Sequence, residues 1–578
     1  MFLVLWQLFL AALAVSAASP TQTIREAKRH NVPVSPFVTT RDGQFFVNGS
    51  VFKFVGTNAY WLHALNTDED IDNTLAAIRA ANFTVVRTWA FNDVDTIPEN
   101  GTWFQHISNG TLTINDGPNG LQKLDKVVEL AQKHGLYLLL SFTNNWSPIP
   151  GIDQPLPPGF NPLQIRQLQG TNGTNATLPR NALSNSYGGM DTYVRNFGGK
   201  QEHDQFYTNQ TLINAFMNYT AIIASRYANH SNVFAWELAN DPRCNSSIPN
   251  SAGCEARNVT RWHATLAAHV QSVDPNHLVS SGNQGYFCAD CPKLFPRQVA
   301  PPPPPPQHSP APGVRRRSAP EPLTRSQLLK ERKAAWKRER ARQKRSGELI
   351  GGVKIRGRWT ASQTKRQSDL GTGSAFDGAH GVDSEDIINI PQIGFGSFQL
   401  FPDQFDYSSG ALDTSLPPFN QTLQIGLDWI RRHAEAGQLF GKPVSLTGFG
   451  LVTRDNAPFF VPFNTTIAPF GPDQAPPANV TQPFGVTDEQ RDEAYRQWIQ
   501  AGILGGLQGI IQYQWSQSNL TSLQGSAISP VPTESGQTPL TDTSGMSPND
   551  GYGILGQGQT DALQSISVAS QGFGPDSA

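Results

Sequence analysis

Hydrophobic positions along this chain follow two alternating rhythms: short, continuous apolar runs, and longer stretches in which apolar residues return to one helical face. From Phe37 to Trp61, FVTTRDGQFFVNGSVFKFVGTNAYW alternates apolar and polar residues around Asn48-Gly49, a dipeptide suited to a tight turn. This predicts a hairpin under the floor of the fold and a first core strand at Phe52 to Thr57. Asp70 to Ala81 reads as a helix and Thr84 to Ala90 as a strand. Leu121 to His134 puts Leu121, Leu124, Val127, Val128 and Ala131 on one face and stops at Gly135, a suitable C-cap. Tyr137 to Phe142 follows as a strand.

The rhythm continues with helices at Leu212 to Ala228 and Ala256 to Ser272, around a strand at Val233 to Ala239 and a short one at His277 to Gly282. Further on come the strand Gly394 to Phe401, the helix Leu423 to Ala436, the strand Pro443 to Gly450, the helix Asp488 to Ala501, and the strand Gly506 to Trp515. Strands that alternate with amphipathic helices indicate a parallel α/β fold, and eight of them can close a (β/α)₈ TIM barrel. The alternative is a doubly wound open sheet. No Gly-rich phosphate loop follows the first strand, so a nucleotide reading has no support. In a barrel, chemistry sits at the C-terminal strand ends, which draws attention to FAWELANDPR (Phe234 to Arg243) and PVSLTGFG (Pro443 to Gly450).

Composition refines this picture. The chain has 578 residues and is 38% hydrophobic, enough for one large core. Residues 1–18 read as a signal peptide with a small-residue cleavage region at Val15-Ser16-Ala17-Ala18; the alternative, a membrane anchor, lacks a stop-transfer pattern. A secreted, extracellular protein is expected, with no membrane partner after signal removal. Sequons at Asn48, Asn82, Asn109, Asn172, Asn218, Asn258, Asn464 and Asn519 fit a glycosylated surface. The four cysteines, Cys244, Cys254, Cys288 and Cys291, favour disulfides in that compartment; zinc is the minor reading, because no second C-x₂-C pair stands at finger spacing.

Charge divides the chain in two. From Ala311 to Arg366 stand 18 of the 44 Lys and Arg against four acidic residues, a surplus of 14, so the remainder carries −16 to give the net −2. With PPPPPP at 301–306, residues 292–374 read as a disordered basic insert. Sharper readings are a tether to polyanions or cell wall, a loop cleaved at Lys344-Arg345 or Lys365-Arg366, or an artefact of the gene model. Nucleic acid is not an expected partner of a secreted chain. The barrel is expected to occupy 36–291 and 375–566, leaving 567–578 as a tail.

KFVGTNAYW, VVRTWAFND, GGMDTYVRNFG, WELANDPRC, GVDSEDIINIPQIGFGSFQLFPD, GKPVSLTGFG and NDGYGI occur in order. With them the chain resembles fungal endo-β-1,4-mannanases of glycoside hydrolase family 5, from about Phe37 to Cys291 and again from Ala375 to about Ile566. The resemblance implies a retaining hydrolase with two carboxyl groups about 5–5.5 Å apart, acting on β-mannan-type polysaccharide. It places the acid/base at Asp241, a Glu in the family, and the nucleophile at Gly448, also a Glu in the family. Asp241 withdraws its oxygens by one methylene; Gly448 offers none, so double displacement fails as written. An impaired hydrolase that retains a glycan site is therefore expected. The competing reading is an active hydrolase that uses Asp241 and another group, with Asp403 and Glu237 as the nearby acids in sequence.

The resemblance further places Arg87 and Asn240 where the family orients a carboxylate and contacts the sugar 2-OH. Gln399 stands for a family His, Phe401 for a Tyr that bonds the nucleophile, and Tyr513 for a sugar-stacking Trp. Trp515 is expected on the same face as Tyr513. Trp61, Trp89, Trp146, Trp236 and Tyr187 are further candidates for stacking, each also explicable as core. No metal or organic cofactor is called for, and a monomer is expected.

Overall fold

The computed structural model describes residues 35–147, 183–297, 371–409, 415–456, 485–526 and 545–573, with short gaps at 198, 524–525 and 555–558, and also the strands at 347–350 and 353–356. Eight short strands form one parallel sheet: β1 (Phe54–Asn58), β2 (Val85–Trp89), β3 (Tyr137–Ser141), β4 (Val233–Glu237), β5 (Leu278–Ser280), β6 (Gly396–Leu400), β7 (Val444–Phe449) and β8 (Gly509–Gln512). Neighbours run β5-β4-β3-β2-β1-β8-β7-β6. A parallel bridge from Ser280 to Phe395 joins the two ends, and Gly394 N–H donates to Val279 O at 2.8 Å. The sheet is thus a closed (β/α)₈ barrel with no free edge.

Each strand is followed by a helix: α1 (Asp68–Ala80), α2 (Leu121–Lys133), α3 (Gln210–Tyr227), α4 (Ala256–Val273), the short α5 (Ser384–Ile388), α6 (Pro418–Phe440), α7 (Asp488–Gly505) and α8 (Gln559–Ser570). Local chemistry sets their ends. Thr67 caps α1 by accepting from Asp70 N–H, and Thr487 with Gln490 forms a reciprocal capping box on α7. α6 stops at Gly441, which takes φ 65°.

The predicted hairpin is a three-stranded meander (Thr39–Arg41, Gln44–Val47, Ser50–Phe52), turning at Asn48 and Gly49 with φ of 49° and 79°. It delivers Phe45 against Phe54, Phe234 and Phe395, so a ring cluster closes the barrel floor. With the floor sealed by apolar packing, the polar strand ends lie at the opposite, C-terminal mouth.

Several boundaries differ from the sequence reading. Folded structure runs past Cys291: Lys293 pairs with Asp383, and the N–H groups of Leu294 and Phe295 donate to Asp386. Inside the stretch read as disordered, Gly347–Ile350 and Val353–Arg356 pair as an antiparallel hairpin; most of the rest of that stretch, like the signal peptide, lies outside the described residues. α8 continues to Ser570 and buries Ala569, so the tail begins later than 567. The cysteines pair as Cys244–Cys254 and Cys288–Cys291. No described helix is long and apolar enough to cross a membrane.

Candidate functional site

At the end of β4 the chain turns sharply, and Asp241 takes φ 54°, a left-handed conformation uncommon for a residue with a side chain. Its N–H donates to Gly282 O at 2.9 Å, which ties the turn to the end of β5. The Asp241 carboxylate is buried and held by donors from Arg243 and Trp146. Arg243 Nε donates to Oδ1 at 2.9 Å, a terminal guanidinium nitrogen donates to Oδ2, and Trp146 Nε1 donates to Oδ2 at 3.0 Å. Burial pushes the Asp241 carboxyl above the usual carboxylate range, against the opposing pull of Arg243 and Trp146.

Arg243 is itself enclosed. Its guanidinium lies 5.4 Å from the Trp146 ring, 5.0 Å from Tyr286 and 4.8 Å from Phe405. Burial disfavours its charge, yet the facing Asp241 raises its pKa overall. Nothing in the residue pattern assigned Arg243 a role; the available signal was its position two residues after Asp241, across Pro242. From there a turn can fold the guanidinium back onto the carboxylate.

A second polar cluster lies below this one. Arg87 on β2 makes a fully buried ion pair with Glu237 on β4, and its guanidinium also donates to Asn240 Oδ1 at 2.8 Å. Glu237 therefore serves as the counter-ion of Arg87. Asn240 Oδ1 accepts a second bond from Gln399 Nε2 at 3.1 Å, while its Nδ2 donates to Asn144 at 2.8 Å. Gln399 Oε1 accepts from Gln284 at 3.2 Å, whose own oxygen accepts from the Tyr407 hydroxyl at 3.1 Å. Arg87, Asn240 and Gln399 thus meet in one network.

The opposite wall is different. The β6–β7 register sets Gly448 beside Gln399. A Cβ at Gly448 would lie 3.3 Å from Phe401 Cζ and 3.6 Å from its Cε2, so the phenyl ring stands where a longer side chain would extend. Phe401 also packs against Tyr513 (5.4 Å between centroids) and Tyr552 (5.2 Å). The Tyr513 hydroxyl donates to Asp550 Oδ2 at 2.5 Å, and Tyr60 donates to the same oxygen at 3.1 Å. Asp550, in the NDGYGI stretch, is a buried carboxylate of the mouth that the sequence reading quoted without a role.

Other expected residues part company. Trp515 lies edge-on to Phe83 at 6.1 Å and donates to Gln517, apart from the ring cluster around Tyr513; the Tyr513–Gln514 peptide is cis. Trp236 stacks on Phe142 at 4.9 Å and donates to Asp274, while Trp61 is fully buried. Trp89 and Tyr187 flank Tyr60, each with ring centroids 5.8 Å away. Asp403 accepts from Val452 N–H at 3.1 Å, and burial raises its carboxyl to about 7. Among the described residues, no group of three or more His, Cys, Asp or Glu side chains is placed to hold a metal ion.

A closed barrel with buried polar strand ends can be set beside known proteins. Residues 35–301 match the family described as GH family 5 beta-mannosidase-like. Mannan endo-1,4-beta-mannosidase A of Aspergillus aculeatus is 34% identical over 280 residues, 48% of this chain and 61% of that protein. The enzyme of the same name from Hypocrea jecorina is 35% identical over 279 residues, 48% of this chain and 53% of its own length. The chain thus spans about half to three fifths of these curated relatives. Solved structures with the same fold include the endo-1,4-beta-mannanase of Rhizomucor miehei, with TM-score 0.55, 20% identity, and 93% of this chain and 99% of that chain covered. The endo-beta-1,4-mannanase of Thermotoga petrophila gives TM-score 0.52 at 20% identity over 91% of this chain and 79% of that chain. These two likenesses carry the (β/α)₈ fold alone.

Proposed function

We propose that this protein is a secreted family-5 homologue of endo-β-1,4-mannanases that binds β-mannan-type polysaccharide and is impaired in cleaving it. One observation carries the reading. Across the mouth from Asp241, the position that the family resemblance assigns to a nucleophile is Gly448, and the Phe401 ring lies against the space a side chain there would enter. Retaining hydrolysis needs a carboxylate at that point to attack the anomeric carbon, and neither glycine nor phenylalanine can do so. Asp241, proposed to stand at the acid/base position, is also clamped by Arg243 and Trp146, which compete for the oxygens a leaving group would need.

A second reading is an active hydrolase that uses Asp241 with another group. It is supported by the raised pKa of Asp241, which favours the protonated form a general acid requires, and by the buried carboxylate of Asp550 in the same mouth.

Purified protein incubated with galactomannan, glucomannan and linear mannan separates the two. The expected result is no release of reducing ends above background, together with saturable binding in a titration with soluble mannan. Product release that vanishes in Asp241→Asn would establish the active reading instead. An absence of mannan binding would remove the glycan-site half of the proposal.

A further inference from the structure

The loops after β3 and β4, which carry Trp146, Asp241 and Arg243, are joined by a buried pair that the functional reading leaves unused. Asp191 lies in the helix Met190–Phe197 and His203 just before the helix Gln205–Thr208; both are fully buried. His203 Nδ1 lies 2.6 Å from Asp191 Oδ1, and its Nε2 lies 2.9 Å from Asn145 Oδ1. The orientation of the Asn145 amide is fixed independently. Its Nδ2 donates to Asn245 O at 2.9 Å, and its Oδ1 accepts from Arg243 N–H at 3.1 Å. The atom facing Nε2 is therefore an acceptor, and so is the atom facing Nδ1.

We infer that the buried His203–Asp191 pair is the positioning element that sets the backbone of Arg243, and with it the clamp on Asp241. Three connections carry this. His203 fixes Asn145, which accepts from Arg243 N–H. The Tyr207 hydroxyl, 3.3 Å from Nε2, also donates to Arg243 O at 3.0 Å. Asp191 Oδ2 accepts from Ser246 Oγ at 2.7 Å and Ile248 N–H at 3.2 Å, so three donors converge on a carboxylate able to accept them all.

The loop after β4 is thus held at both ends, by the Cys244–Cys254 disulfide at its neck and by Asp191 and His203 across it, with His203 N–H donating to Pro249 O at 2.9 Å. Arg195 is the other cation near Asp191, but its terminal nitrogen donates to the hydroxyls of Ser147 and Thr192 and pairs with Asp95. The inference goes beyond the glycan-binding reading and holds whether or not the mouth cleaves a substrate.

The test uses the full chain labelled with ¹⁵N. The Trp146 indole N–H, bonded to Asp241, reports on the clamp, and that of Trp498, bonded to Leu423 O at 3.2 Å, on a distant part of the barrel. In His203→Phe the Trp146 indole should shift and exchange with solvent at least about tenfold faster, while Trp498 stays unchanged. An unmoved Trp146, or both indoles changing together, would count against a positioning role. If His203→Phe does not fold, Asn145→Ala, which removes the acceptor of Arg243 N–H and leaves the His203–Asp191 pair in place, should move the Trp146 indole in the same way, and an unmoved indole there would overturn the inference.

Discussion

The two walls of the barrel mouth meet the same problem, filling a site at the strand ends, in opposite ways. On the β4 side the central polar groups are shared: Asn240 Oδ1 accepts from both Arg87 and Gln399, and Asp241 from both Arg243 and Trp146. On the β7 side one residue has no side chain, and its neighbour Phe401 packs there with Tyr513 and Tyr552. A shared buried polar network resists piecemeal change, because removing one member leaves others unsatisfied. An apolar wall adapts by repacking. Under the proposed function, hydrolytic capacity would be lost at least structural cost on the wall where removing a carboxylate leaves no orphaned partner.

The strongest way to break this comparison is to rebuild the apolar wall. Asp241→Glu with Gly448→Glu is expected to raise mannan hydrolysis on the order of 10³-fold or more above wild type, since a missing nucleophile costs rates of that size or larger. The glutamate introduced on β7 must turn the Phe401 ring aside, because only 3.3 Å separates that ring from the new Cβ. Release of reducing ends measures the outcome. A double variant that folds and binds mannan yet stays inert would show that more than the pair has been lost.

Much of this was open to a reader of the residues alone, for physical reasons. Strands such as YLLLS at β3 and VFAWE at β4 are buried along nearly their whole length, so they appear as continuous apolar runs, and Gly135 and Asn48-Gly49 mark turns by their backbone freedom. Arg87, Asn240 and Gln399 were singled out by the resemblance, and the structure joins them in one network. Arg243 was not legible, because the fold-back onto Asp241 depends on a left-handed turn and on rings from three separate segments, Trp146, Tyr286 and Phe405. Trp515 was misjudged because period-two alternation was carried past Gln512, where β8 ends. Asp550 lies far along the chain, and its tie to Tyr60 spans 490 residues, a link no local pattern encodes.

The polar wall is probed by Arg87→Ala. Removing the cation leaves Glu237 buried at 0% exposure without its counter-ion and takes one donor from Asn240. Breaking a buried pair in this way is expected to lower stability by about 3–5 kcal/mol, read as a fall in the urea midpoint at constant slope. A loss below about 1 kcal/mol would mean that water replaces the guanidinium and that the network is looser than its distances indicate.

The smallest effect belongs to the apolar wall, and it sharpens the comparison through two glycines. Gly448 has no left-handed φ, and its added Cβ meets only the edge of Phe401 and Gln399 Cγ at 3.7 Å, so Gly448→Ala should change stability by no more than about 1 kcal/mol in either direction. Gly282, on the polar side, takes φ 73°, and a Cβ there would lie 1.9 Å from Ala239 O and 2.5 Å from Glu237 Cγ. Gly282→Ala should therefore cost more than Gly448→Ala, about 2 kcal/mol or above, because a carbonyl and the Arg87–Glu237 pair would both have to shift. Urea midpoints of the two variants, measured side by side, decide the matter. Equal losses would mean that the two walls are equally rigid, and that the space beside Gly448 is as tightly determined as the network facing it.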